Sequence, residues 1–320
     1  MAEPIPTDDR WERSALEKIA LAAIQEQRRA RQWSILFKLL LFIYLFALLF
    51  VFLGWIGGKE ALPGKHTAMV EIKGVIAEDS LASADNIVAG LEEAFKASGT
   101  QGVILRINSP GGSPVQAGHI NDQIKRLRAK YPNIPLYAVV EDICASGGYY
   151  VAVAADKIFV DKASMVGSIG VLMNGFGFTG TMDKLGVERR LLTAGEHKAF
   201  LDPFSPVSEV EKQYAEKLLG EIHEQFINVV RQGRGKRLKD SPELFSGLVW
   251  VGARSVELGL ADGLGSIEYV AREVIKAEDI VDFTPRENIA ERFAKRFGAT
   301  MAESLFRLMG PNALSQLTPR

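Results

Sequence analysis

The chain has one cysteine, Cys144, in 320 residues. That excludes an internal disulfide framework and leaves a thiolate metal site without a second sulfur. Histidine is nearly as scarce: His66, His119, His197 and His223 are scattered and show no ligand spacing. No metal and no cofactor is therefore expected. Excess charge of either sign is also missing, with 38 Lys+Arg against 39 Asp+Glu, so the whole-chain balance gives no case for binding nucleic acid. There is no internal repeat and no low-complexity segment. One long hydrophobic run is present, and it sets the topology.

That run, from Leu39 to Ile56, carries no charge and with its flanks reaches the roughly 20 residues needed to cross a bilayer. Trp33 and Trp55 fit interfacial belts at its two ends, and Lys38 can snorkel from just inside. A cleaved signal peptide is the competing reading. It is disfavoured by a charged region of over thirty residues before the run, and by the missing small-x-small site after it. Residues 1–32, with helical periodicity through Ala15, Ile19, Ala22 and Ile24, end in the basic Arg28-Arg29-Ala30-Arg31. Such a flank holds an N-terminus in the cytoplasm. The expected layout is a cytoplasmic segment at 1–32, a transmembrane anchor at 33–57 and a linker at 58–65. A catalytic domain at 66–285 then lies across the membrane, followed by an amphipathic tail at 286–320.

From His66 on, strand and helix patterns alternate. Strands are expected at Ala68–Ile72, Gly102–Ile107, Leu136–Val140, Lys157–Val160 and Val187–Leu192, with an extended piece at Gly167–Leu172. Helices are expected at Ala84–Ala97, Pro114–Lys130, Tyr150–Asp156 and from the capping box Ser208-Glu209-Val210-Glu211 to Gln232, with another ending near Ile275. This rhythm argues an α/β fold with a mostly parallel sheet. The basic knot Gly233-Arg234-Gly235-Lys236-Arg237 is read as a solvated surface loop.

The chain is organised around Asp142-Ile143-Cys144-Ala145-Ser146-Gly147-Gly148-Tyr149-Tyr150. A serine between a buried strand and a helix sits where unpaired N–H groups favour negative charge. Glycines after it allow close approach of a backbone or a substrate. Asn108-Ser109-Pro110-Gly111-Gly112 leaves another strand end, where open α/β sheets place their sites. The N–H groups of Gly111 and Gly112, paired with that of Gly147, can form an oxyanion hole for a tetrahedral acyl intermediate. The plainer alternatives are an N-cap serine and a tight turn with no catalytic task.

A nucleophilic serine needs a proton acceptor. His119, His197 and Lys198 are the candidates, and nothing in their spacing selects one. A lysine serves only if burial and the lack of a carboxylate partner lower its pKa from about 10.4 toward neutrality. Phe200, Leu201, Pro203 and Phe204, just after Lys198, are apolar enough to desolvate it. Cys144 is read as a small buried apolar residue.

Taken in order, Asn108–Gly112, Ala145–Tyr149, Val166-Gly167-Ser168-Ile169-Gly170-Val171 and Lys198 closely resemble the signal peptide peptidase A family over residues ~66–275. These are membrane-anchored bacterial serine proteases with a Ser-Lys dyad on a fold like those of Clp protease and crotonase. The resemblance implies Ser146 as nucleophile, Lys198 as general base and Ser168 as the group that orients the lysine amine. Gly147 with Gly111 or Gly112 would hold the oxyanion. It further implies a single-pass protein of the bacterial inner membrane that degrades remnant signal peptides or other apolar peptides in the periplasm. A homo-oligomeric ring, by resemblance an octamer, is expected. Related readings are a SohB-like or stomatin-associated membrane protease, a crotonase-like acyl-CoA enzyme, and a catalytically silent membrane scaffold.

Overall fold

A computed structural model describes residues 9–52, 64–239 and 241–285. The expected tail at 286–320 and most of the expected linker lie outside the described residues. The described residues fall into two units, one at 9–52 and the other from residue 64 to residue 285.

In the first, α1 (Asp9–Phe52) is one unbroken 44-residue helix. It joins the expected N-terminal segment to the apolar run without a break, since no proline interrupts residues 9–52. Among the described residues it is the one helix long and apolar enough to cross a membrane. Leu39 to Leu49 are exposed along it, as a lipid-facing surface requires.

The second unit is built on an eight-stranded sheet in the order β6-β5-β3-β2-β1-β8, with β4 on β3 and β7 on β4. The first strands are β1 (His66–Lys73), β2 (Thr100–Ser109), β3 (Leu136–Ala145) and β4 (Lys157–Val160). Short strands β5 (Met165–Gly167), β6 (Val249–Val251), β7 (Gly263–Leu264) and β8 (Ile280–Asp282) complete it. Every pairing is parallel except β5 with β6. The β-α-β rhythm of the sequence is thus realised as an α/β fold, since parallel neighbours need helical crossovers.

The crossovers are α2 (Ala84–Lys96), capped by Ser83, and α3 (Pro114–Lys130), capped by Ser113 with proline in its first turn. Ile87, Leu91 and Phe95 of α2, with Ile120 and Ile124 of α3, meet Val70, Ile72, Val103, Leu105 and Val140 in the main core. On the opposite face, a helical segment at residues 267–275 covers Ile104, Val139 and Phe159 through Val270 and Ala271.

The sheet splits along one edge of β3. Residues Tyr137 to Val140 pair with β4, whereas Ile143 to Ala145 pair with β5. The last part of β3 is thereby peeled away from β4, and Ser146 follows it directly. The expected strand at Val187–Leu192 does not form. Those residues are exposed and irregular, because the outer edge of β5 is already taken by β6 and no other strand lies alongside. The extended piece expected at Gly167–Leu172 pairs only as far as Gly167. After two short helices, α4 (Gly147–Ala152) and α5 (Thr179–Leu185), the long helix α6 (Glu209–Arg234) starts on the expected capping box, with Ser208 and Glu211 satisfying each other's ends.

Candidate active site

The serine turn is held in an unusual conformation. Ser146 has φ 52° and ψ −122° at the start of α4 (Gly147–Ala152), a region that costs a non-glycine residue of the order of 1–3 kcal/mol. Neighbours hold it there. Its N–H donates to the Gly167 carbonyl at 2.9 Å, and its carbonyl accepts from Tyr150 N–H at 2.9 Å. Tyr149, fully buried, donates its hydroxyl to the Leu260 carbonyl at 2.8 Å. With six residues, α4 contributes little dipole, so any anion stabilisation rests on individual N–H groups.

Two such groups are available. Gly111 N–H donates to Ser109 Oγ at 3.1 Å and is thereby occupied. The N–H groups of Gly112 and Gly147 have no acceptor among the described residues. They lie close together: a Cβ built on Gly147 would stand 3.2 Å from Gly112 N. Of the two sequence candidates in the glycine turn, the geometry favours Gly112 as the donor and gives Gly111 a packing task. A Cβ on Gly111, at φ +100°, would fall 2.6 Å from Gly147 N and 2.8 Å from the Ala145 carbonyl. Gly111→Ala is therefore expected to push the serine turn out of place. Peptidase activity should fall at least tenfold while the α/β core persists, read by turnover alongside circular dichroism. A wild-type rate would show that the turn tolerates displacement.

Ser146, Gly147, Gly112 and Ser168 open on one cavity of about 580 Å³. Its walls are largely apolar, with Pro110, Ala117, Tyr150, Leu172, Ile222 and Phe226. Burial holds the Tyr150 phenol above its ordinary value, with the Asp122 charge adding to the effect. Ser168, at φ 50°, is pinned by its N–H to the Leu248 carbonyl at 2.7 Å. A larger cavity, about 790 Å³, lies where the sheet splits and is lined by Glu141, Asp142, Asp161 and Glu268. It contains none of the serine or lysine candidates.

The proposed bases fare differently. His119 and His197 are exposed, and neither lines the Ser146 cavity. Lys198 is exposed as well, on a turn closed by its own N–H to the Gly195 carbonyl at 3.2 Å. Within one protomer it does not reach the cavity. It belongs to an arm, residues 171–207, that shows water an unusual amount of apolar surface: Leu172 is 82% exposed, Phe176 75% and Leu192 96%. Cys144 is fully buried, and burial drives its thiol pKa upward, so it is no thiolate nucleophile.

His223 was given no task by sequence reasoning. From α6 it approaches the Ile169 carbonyl at 3.1 Å and so fixes the segment carrying Ser168. Only its i, i+3 relation to Phe226 in the buried stripe of α6 hinted that it points inward.

With this geometry in view, comparison with known proteins is informative. A model of peptidase family S49 matches residues 128–281. A relative from Enterococcus faecium, provisionally named signal peptide peptidase SppA, is 30% identical over 234 residues, 71% of this chain and 67% of the other. A protein named Na(+)/H(+) antiporter NhaA from Brucella melitensis is 46% identical over 188 residues, 59% of this chain. The chain spans about a quarter of that relative's length, 25%. Among solved structures, a membrane-bound stomatin-specific protease aligns with TM-score 0.42 and 13% identity, over 70% of this chain and 100% of the other. The chain belongs to the S49 family of peptidases, the family of SppA and SohB.

Proposed function

We propose that this chain is a membrane-anchored serine endopeptidase that cuts apolar peptides, remnant signal peptides above all, with Ser146 as nucleophile and Lys198 as general base. The observation that carries the reading is the strained Ser146 beside the free N–H groups of Gly112 and Gly147, at the mouth of an apolar cavity. Neutral Lys198 takes the Ser146 proton as Oγ attacks a peptide carbonyl. The two glycine N–H groups receive the developing oxyanion. The resulting ammonium protonates the leaving amine, and water deprotonated by the same lysine releases the acyl group. Ser168, on the same cavity, orients the lysine amine.

Lys198 is exposed on an apolar arm, so the reading needs a second copy of the chain. Packing that arm against a neighbour removes its apolar surface from water and dries the lysine. A head-to-tail contact of this kind closes into a ring when its rotation allows. The anchor keeps the N-terminus in the cytoplasm and the catalytic domain on the outer side of a bacterial inner membrane. No nucleic acid, metal or cofactor enters the reaction.

The test is covalent. An acylating serine-protease inhibitor should leave its mass on the tryptic peptide containing Ser146, and Ser146→Ala should abolish the adduct. No adduct together with tight coenzyme A binding would assign the chain to acyl-CoA chemistry instead.

A further inference from the structure

The basic knot at 233–237 is not an isolated loop. Helix α6 ends against the turn after α4, so closely that a Cβ on Gly233 would stand 2.3 Å from the Val153 carbonyl. That contact carries the knot to Asp156, just ahead of β4. Arg237 Nη1 donates to the Asp156 carbonyl at 2.9 Å, and Arg128, near the end of α3, pairs with the Asp156 carboxylate. The ends of α3 and α6 and the start of β4 therefore form one surface.

Its charge is unbalanced. Among the described residues, Asp156 is taken by Arg128, Asp262 by Arg234 and Arg237, and Glu92 by Arg126 and Lys96, which leaves exposed Glu93 on α2 and Glu278 and Asp279 ahead of β8 as the carboxylates without an ion pair at this end of the sheet. Lys125, Lys130, Lys157, Lys236 and Lys239 are exposed and make no ion pair among the described residues.

The surface also has a fixed place in the sheet. The register sets His66 beside Thr100, Val103 beside Leu136, and Tyr137 beside Lys157. Parallel strands β1 to β4 thus all begin at this end, and the chain coming from α1 enters here too, at His66. Three strand spacings separate β1 from β4, roughly 15 Å. The eight residues expected as linker, 58–65, span at most about 28 Å.

We propose that this basic end of the sheet docks on the anionic phospholipid headgroups of the bilayer that holds α1. The proposal rests on the reading of α1 as a membrane anchor. Each lysine held near an anionic surface favours docking by about fivefold, within roughly a Debye length. The linker is long enough to let the lysines reach that range.

The full chain is reconstituted in nanodiscs of phosphatidylcholine alone or mixed with phosphatidylglycerol, and amide hydrogen exchange is followed. Co-elution with the discs checks the anchor by itself; if it fails, α1 is not an anchor, whatever the patch does. Given co-elution, exchange at 125–131 and 233–239 should slow at least tenfold in the anionic discs and recover in high salt. The variant Lys125→Glu/Lys130→Glu/Lys236→Glu/Lys239→Glu should lose the slowing while keeping the wild-type melting temperature and turnover of a soluble peptide. Equal exchange in both lipids would overturn the proposal. Slowing that follows the number of copies per disc would also overturn it, by placing a second copy on the patch. So would the same slowing from inorganic phosphate in neutral discs, which marks a general anion site.

Discussion

Mixing inactive Ser146→Ala protomers with inactive Lys198→Ala protomers in equal amounts is expected to restore about a quarter of wild-type hydrolysis, because on the proposed reading each productive site draws its serine and lysine from different copies. Alone, each variant should lose at least about 10⁴ in kcat, since the dyad acts as a unit. Lys198 is on the surface of the single protomer, outside the cavity that holds Ser146. A lysine serves as general base only where burial disfavours its charged form. Only a contact that covers the arm around Leu172, Phe176 and Leu192 can supply that burial. The measurement is the rate on a fluorogenic apolar peptide after co-refolding the two variants. No recovery in a confirmed mixed oligomer would mean that the arm folds back within its own chain.

The second large effect concerns stability. Arg234 is 1% exposed, donates to the Asp262 carboxylate at 2.7 Å, and also donates through Nε to the Gly259 carbonyl at 2.7 Å. Arg234→Met leaves that carboxylate with the Ile158 N–H and the half-exposed Arg237, without its buried charge partner, and should cost about 3–5 kcal/mol. For a unit of this size that is a fall of roughly 10 °C in Tm. Burial by itself would raise the Asp262 pKa, but the hydrogen bond and charge of Arg234 hold it below the usual range. A depressed carboxyl contributes stability above its unfolded pKa, near 3.9, and loses it as pH falls through the folded value. The gap in Tm between wild type and variant should therefore be full at neutral pH and narrow below about pH 4. A gap that stays constant into acid would show that lost packing, not charge, carries the effect. The pair also bears on the site, because Leu260 in the same turn holds Tyr149 of α4.

The strand, serine and glycines around Ser146 were legible because local rules dictate them. A β-leaning run followed by Ser-Gly-Gly and a small apolar helix has few other ways to fold. The helices with serine caps were legible for the same reason: Ser83, Ser113 and Ser208 each cap a helix within the sequence's own pattern. What the sequence missed depends on distant partners. Val187 to Leu192 has strand composition but no edge to join, and burial class cannot be read from composition alone. Strands β5, β6 and β7 are two or three residues long; β5 and β6 form where the end of β3 diverges from β4, and β7 on the far edge of β4. The choice of Gly112 over Gly111 turns on one hydrogen bond from Gly111 to Ser109, which no spacing reveals. The surroundings of Lys198 are illegible for a deeper reason: on the proposed reading, what covers its arm is a second copy of the chain, which no pattern within one sequence reveals.

Strand β3 also acts as a ruler. Its ten residues run from the end of the sheet where the chain enters to the serine at the other end, a rise of about 30 Å. The entry of the chain at His66 and the turn that carries Ser146 therefore lie at opposite ends of the sheet, and a change in the residues leading into β1 leaves the serine turn untouched.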